Sequence, residues 1–191
     1  MGWYAIFVET GKEEAVSKRI NRELSQTVLD GQFTILIPKR RMVERRNGVC
    51  EEVEYKLFPG YILVKTEYIN ELYHLTFRLE HLYRYLRCSG VFDEIRLEEI
   101  SNIVYMANEE GVIGLSNIVI DNDTVKVIDG PLRNYKGFVV KIDKHKGRAR
   151  VLFKFNGQDH LIDLSVNILK TISDENIRNE IRFWRTQNSL V

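Results

Sequence analysis

The sequence predicts an α+β domain, then a small β-barrel, then a C-terminal helix. Three observations carry that prediction. Strand-like and helix-like periodicities are interspersed over the first part of the chain. Past residue 123, short β-branched runs crowd together with turn residues between them, the texture of a barrel. Past residue 171 the spacing of apolar residues becomes helical again. The boundaries read as 1–108 for the first domain, 109–122 for a linker, 123–170 for the barrel and 171–191 for a helical extension. A length of 191 residues suits one large domain or two small ones, and either buries a core without disulfides or metals.

Trp3 to Val8 is aromatic and β-branched, hence a strand. Thr10-Gly11-Lys12-Glu13 spells a capping box. The helix it opens has Val16, Ile20 and Leu24 at four-residue spacing, an apolar stripe for a sheet. Phe33 to Pro38 is a second strand. Arg40 to Arg46 and Val49 to Leu57 flank Asn47-Gly48, the dipeptide of a two-residue type I′ hairpin. That loop sets Arg46 opposite Val49, Arg41 opposite Glu54 and Lys39 opposite Lys56. Phe58-Pro59-Gly60 breaks the chain, and Tyr61-Ile62-Leu63-Val64 resumes as a strand too apolar for an edge. From Asn70, Leu72, Leu75, Leu79, Leu82 and Leu86 recur at three- and four-residue steps and predict one long helix on the sheet, with Gly90 past its end. Leu97 to Ala107 is a shorter helix with Ile100, Val104 and Ala107 aligned. A sheet with helices packed on it is the α+β arrangement.

Glu109 to Asn122 is polar and weakly patterned, as a linker is. The barrel strands are expected at Thr124-Ile128, Gly137-Ile142, Ala149-Phe155, His160-Leu164 and Val166-Leu169. Ser173 caps the final helix, which has Asp174 and Glu175 in its first turn and Arg182 and Arg185 in its last.

A net charge of +1 hides segregation. Lys39 to Arg46 holds five basic residues against Glu44, and Arg133 to Arg150 holds seven against Asp143. Such patches suit a polyanion, with solvated surface as the competing reading. Hydrophobic residues at 44% exclude a disordered chain, and no apolar run approaches the ~20 residues of a membrane span. The N-terminus reads as a strand rather than a signal peptide. Cys50 and Cys88 have neither disulfide-scaffold numbers nor metal-ligand spacing, so the cytosol is the expected compartment. The four histidines, His74, His81, His145 and His160, are scattered. No nucleophile motif, phosphate loop or dinucleotide fingerprint occurs. The expectation is a binding module, with no catalytic residue, no metal and no cofactor.

Trp3-Tyr4-Ala5 with Gly11-Lys12-Glu13-Glu14 opens the chain, and Phe58-Pro59-Gly60-Tyr61-Ile62-Leu63-Val64 follows. Val125-Lys126-Val127-Ile128-Asp129-Gly130-Pro131-Leu132, with Gly137-Phe138-Val139-Val140 after it, resembles a KOW motif. In this order the segments resemble the NusG family of transcription elongation factors over roughly residues 1 to 170. The resemblance implies an N-terminal NusG (NGN) domain, a four-stranded antiparallel sheet with flanking helices. It also implies a KOW domain, a five-stranded SH3-like barrel. It further implies that an apolar surface grips the coiled-coil clamp helices of the RNA polymerase β′ subunit, here with Tyr4, Phe58, Pro59, Tyr61 and Leu63. That is a helix-in-groove site with aromatic anchors. A second contact across the polymerase cleft is implied for Asn70 to His74.

The barrel of the family recruits termination factor Rho or NusE, a small-subunit ribosomal protein. The matching loop is Pro131 to Lys136, with Leu132 and Tyr135 as apolar contacts. The housekeeping pattern Phe-Gly-Arg, followed shortly by Thr-Pro, is replaced here by Phe155-Asn156-Gly157-Gln158-Asp159-His160. Arg133 and Lys136 charge the loop, and the tail from Ser173 to Gln187 is extra. These departures count against Rho and point to a specialised antiterminator paralogue of the LoaP and RfaH kind, acting as a monomer at selected operons. Nucleic acid is its expected address, a hairpin in leader RNA ahead of non-template DNA. The candidate contacts are Lys12, Lys18, Arg19 and Arg22 on the first helix, Arg45 and Arg46 at the hairpin tip, and Arg78, Arg84 and Arg87 beyond. Two other readings compete: a general NusG factor coupling polymerase to Rho or the ribosome, and a ribosomal or RNA-chaperone protein that works without polymerase.

Overall fold

The computed structural model describes residues 1–46, 48–121 and 124–169. Strand β1 (Gly2–Val8) leads into helix α1 (Glu13–Leu24), followed by β2 (Phe33–Leu36), β3 (Lys39–Arg46), β4 (Val49–Lys56) and β5 (Tyr61–Thr66). Then come α2 (Ile69–Thr76), β6 (Leu82–Tyr85), the short pair β7 (Arg87–Cys88) and β8 (Val91–Phe92), and α3 (Leu97–Met106). The remainder is β9 (Val112–Ile113), β10 (Ser116–Asp121), β11 (Thr124–Asp129), a 3₁₀ turn (Pro131–Asn134), β12 (Val139–Asp143), β13 (Arg148–Phe155) and β14 (Gln158–Leu169).

The first sheet has the order β2-β5-β1-β6 and its pairs are antiparallel. Ile62, Leu63 and Val64 have no accessible surface, because β5 is interior and both faces of its sheet are covered. Alternation along β1 divides the core in two. Ile6 and Val8 meet Val16, Ile20 and Leu24 of α1 on one face, with Leu72 of α2. Ala5 and Leu63 belong to the other face, with Ile100, Ile103 and Met106 of α3 and the interior of the barrel. The β3–β4 hairpin takes the expected register, Arg46 with Val49, Arg41 with Glu54 and Lys39 with Lys56.

Several expectations are corrected. The helix predicted from Asn70 to Leu86 ends at Thr76, and β6 pairs with β1 instead. The open edge of β1 needs backbone partners. Leu82 and Tyr85 remain buried in the same core as Leu72, so the leucine spacing serves a helix, a reversal at His81 (φ 66°) and then a strand. On α3 the buried stripe is Ile100, Ile103 and Met106, while Val104 is exposed. The segment 109–122 is more than a linker: β9 pairs in parallel with β3, and β10 is a barrel strand.

The barrel sheet runs β11-β10-β14-β13-β12, with β10 parallel to β14. The two strands expected at 160–169 are one, β14. The C-terminal helix expected at 171–191 lies outside the described residues. The capping box is also altered, since Lys12, not Thr10, precedes α1 and no side chain caps it. The buried Glu13 carboxylate instead accepts the N–H groups of Gly11 at 2.9 Å and Gly60 at 2.8 Å. Gly60 has φ +83°, and a Cβ there would sit 3.3 Å from the Phe7 ring and the Val8 carbonyl. The Phe-Pro-Gly break therefore needs its glycine.

Candidate functional site

The face of the first sheet opposite α1 and α2 is aromatic. Phe7 and Tyr61 have ring centroids 5.3 Å apart, and Phe58 stands just before β5. The barrel packs on this face. Phe58 stacks on Phe155 at 4.3 Å with 19° between planes, and meets the edges of Phe153 at 6.3 Å and His160 at 5.3 Å. Tyr61 meets Phe155 edge-on at 5.2 Å. Phe58 keeps 3% of its surface and Phe155 1%, so each ring removes the other from water. Aromatic pairs of this kind add about 0.5–1.5 kcal/mol each beyond area burial.

Polar contacts flank this stack on both sides. On the α3 side, the carboxylate of Glu99 accepts the N–H groups of Asn156 at 3.1 Å and Gly157 at 3.4 Å. Asn156 and Gly157 have φ 53° and 68°, as a tight hairpin turn demands, and that geometry aims both N–H groups at the carboxylate. Asn102 Oδ1 accepts the N–H of Lys136 at 3.2 Å. On the β3 side, Arg40 donates to the carbonyl of Asp163, the N–H of Val43 donates to Ser165 Oγ at 3.1 Å, and Arg148 pairs with Glu44 at 3.4 Å. Burial pushes the Arg40 guanidinium below its ordinary value, against the opposing pull of Asp163. The Arg150 guanidinium holds Asp163 below the usual carboxylate range.

The residues expected to grip a partner helix are therefore divided. Phe58 and Tyr61 lie in the contact with the barrel, Pro59 is exposed beside it, and Leu63 is wholly inside the sheet. Tyr4 faces α1 and α2 through the alternation of β1, and its hydroxyl is raised in pKa by burial and by Glu94. Phe7 was missed, although its two-residue spacing from Ala5 marks it for this face. Phe155, expected as the end of a barrel strand, lines the barrel and caps the first domain at once. Leu132 is buried, and Tyr135 packs its ring 5.5 Å from Phe153 while its hydroxyl donates to the Leu152 carbonyl.

The basic candidates form separate surfaces. Lys18 and Arg22 are exposed on α1 and Lys12 just before it, and Arg19 pairs with Glu80 at 3.0 Å. Arg78 lies in the turn after α2, above Phe77 at 5.1 Å. Arg84 and Arg87 sit on strands rather than on a helix. Arg84 covers Phe7 at 5.6 Å, and Arg87 lies between Tyr73 at 4.3 Å and Phe92 at 4.2 Å. Both line a cavity of about 620 Å³ with Tyr73, Phe77 and Tyr83. Arg45 lies instead beside the barrel, in a groove with Lys144 to Arg148, and the Arg46 side chain is outside the described residues.

Comparison with known proteins accounts for both domains. The family model described as "Transcription termination factor nusG" matches residues 1–104, and the KOW motif matches residues 122–154. The transcription termination/antitermination protein NusG of Rickettsia typhi is 28% identical over 170 residues, 88% of each chain. Its namesake in Pseudomonas aeruginosa is 26% identical over 175 residues, 89% of this chain and 98% of the other. A solved structure described as "Domain interaction in Thermotoga maritima NusG" shares the fold with a TM-score of 0.56 at 19% identity, covering 86% of this chain and 93% of that one. With its sheet, barrel and the family match over most of the first domain, this chain belongs to the NusG family of transcription termination and antitermination factors.

Proposed function

We propose that this protein is an elongation and antitermination factor that binds the β′ clamp helices of RNA polymerase through Phe58, Tyr61 and Phe7, and that its own barrel holds that face shut. The observation that carries the reading is the stack of Phe58 and Tyr61 on Phe155. Rings that suit a helical partner are satisfied internally, so the partner must displace the barrel. Apparent affinity then falls by the fraction of molecules that are open. Once seated, a factor that spans the cleft disfavours clamp opening and shifts the population away from paused states, with no bond chemistry. Recruitment falls to the exposed cations of α1 and to the Arg84 and Arg87 cavity, whose aromatic walls suit an unpaired base of a leader RNA hairpin in the bacterial cytoplasm.

Removing the Glu99 carboxylate frees the Asn156–Gly157 turn to water. Glu99→Ala is expected to raise polymerase affinity by about tenfold, from the loss of charge-assisted hydrogen bonds that exist only in the docked form. In that opened background Tyr61→Ala lowers the affinity again. Equal affinity of all three proteins in a direct binding assay overturns the reading. Terminator read-through that is independent of a leader favours the general elongation-factor role instead.

A further inference from the structure

The end of the β3–β4 hairpin and the turn between β12 and β13 belong to different domains, yet they form one groove of about 740 Å³. Arg45 stands on the first wall, and Lys144, Lys146 and Arg148 on the second. Val43 and Leu115 give it an apolar lining, 40% and 46% exposed. Arg148 is engaged by Glu44. Arg45, Lys144 and Lys146 are exposed and make no salt bridge among the described residues, and only Lys146 has a carboxylate, that of Asp143, acting on it from its own turn. The lysine turn has a fixed shape, because Asp143 Oδ1 accepts the N–H groups of His145 at 3.1 Å and Lys146 at 3.0 Å. The next residue, Gly147, accepts the N–H of Val166 at 2.8 Å.

Unpaired cations gathered around one cleft repel one another, and an anion between them removes that cost. The groove is of the size that holds an extended ligand rather than one small ion. A chain of phosphates uses the cations, and its sugars use the apolar lining. We propose that this interdomain groove binds the phosphate backbone of single-stranded RNA, and does so only while the barrel is docked. The choice of RNA over an acidic peptide rests on the proposed function, which puts the protein beside an emerging transcript. The groove is separate from the cations of α1 and from Arg84 and Arg87, so it acts as a brake rather than as the recruiting contact. RNA that binds only the docked form stabilises that form by mass action. By linkage it opposes polymerase binding without sharing a residue with it.

The test is fluorescence anisotropy of the full chain with a short unstructured oligouridylate and no polymerase present. The double variant Lys144→Glu/Lys146→Glu and the single variant Arg45→Glu are each expected to weaken binding about tenfold and flatten its salt dependence. Glu99→Ala leaves every groove cation in place but releases the barrel, and it weakens binding as well. Binding by Glu99→Ala as tight as wild type overturns the proposal, because the two walls then act independently. Unchanged affinity in the charge variants also overturns it, as does displacement of the RNA by polyglutamate at equal charge. Failure of clamp binding alone leaves these measurements unaffected.

Discussion

Two buried glutamates carry much of the residue-scale logic, and neither is paired with a cation in its main contact. Glu13 accepts the N–H groups of Gly11 and Gly60, and Glu99 accepts those of Asn156 and Gly157. Each carboxylate spends its charge on two backbone donors that a turn cannot satisfy by itself. Glu13 ties the start of α1 to the Phe-Pro-Gly break, so it positions Phe58 and Tyr61 without touching a partner. Glu13→Ala leaves the Gly60 N–H without its acceptor in the interior and is expected to cost about 2–4 kcal/mol in urea denaturation. Glu13→Gln keeps one amide oxygen as acceptor and recovers part of that loss. A cost below 0.5 kcal/mol for the alanine variant contradicts the role given to this carboxylate (about the size of an ordinary surface change).

At the scale of elements, the leucine run after Asn70 shows how one spacing serves two structures. A continuous helix buries Leu72, Leu75, Leu79 and Leu82 alike. The observed arrangement buries Leu72 and Leu82 but leaves Leu75, on the outer side of the last turn of α2, 47% exposed, and the chain then turns back to form β6. Thr76 marks the handover: its hydroxyl donates to the Leu72 carbonyl at 2.7 Å and contacts the Tyr85 hydroxyl at 2.5 Å, joining helix end to strand. Leu72→Ala is expected to cost about 2–5 kcal/mol and Leu75→Ala about 0.5 kcal/mol, read from thermal or urea unfolding. Comparable costs for the two favour the continuous helix. The same displacement moves Arg84 and Arg87 from a helix to β6 and β7, where they lie over Phe7, Tyr73 and Phe92 while staying exposed.

For the whole molecule, the decisive feature is that two faces of different domains cover each other. The first domain offers Phe58 and Tyr61, the barrel offers Phe153 and Phe155, and Glu99 and Ser165 add polar contacts at separate points of the contact. If the barrel leaves as one unit, distant contacts open together. The amides of Val43 and Lys136 report on this, since their acceptors lie across the contact: Ser165 Oγ is far from Glu99, and Asn102 Oδ1 is one turn along α3 from it. Glu99→Ala is expected to speed hydrogen exchange at both amides about tenfold. The amides of Ile62 to Val64, inside the first sheet, are expected to be unchanged. Acceleration confined to Asn156 and Gly157 means local loosening and not release.

What the sequence determined by itself is local and periodic. The strand at Trp3–Val8, the stripe of α1, the Asn47-Gly48 hairpin register and the succession of barrel strands all follow from turn chemistry and from spacings of two or four residues. Those forces act within a few residues, so they are written in the order of the chain. Tertiary structure decided what depends on a partner far away. It converted the second half of the leucine run into β6, because the edge of β1 lacked a strand. It enlisted 116–121 as a barrel strand beside β14, although 109–122 taken as a whole reads as a linker. It also set Phe155 over the face that Phe58 and Tyr61 share. No periodicity within either domain encodes that last contact, because the apolar rings of each look like ordinary core until the two surfaces meet.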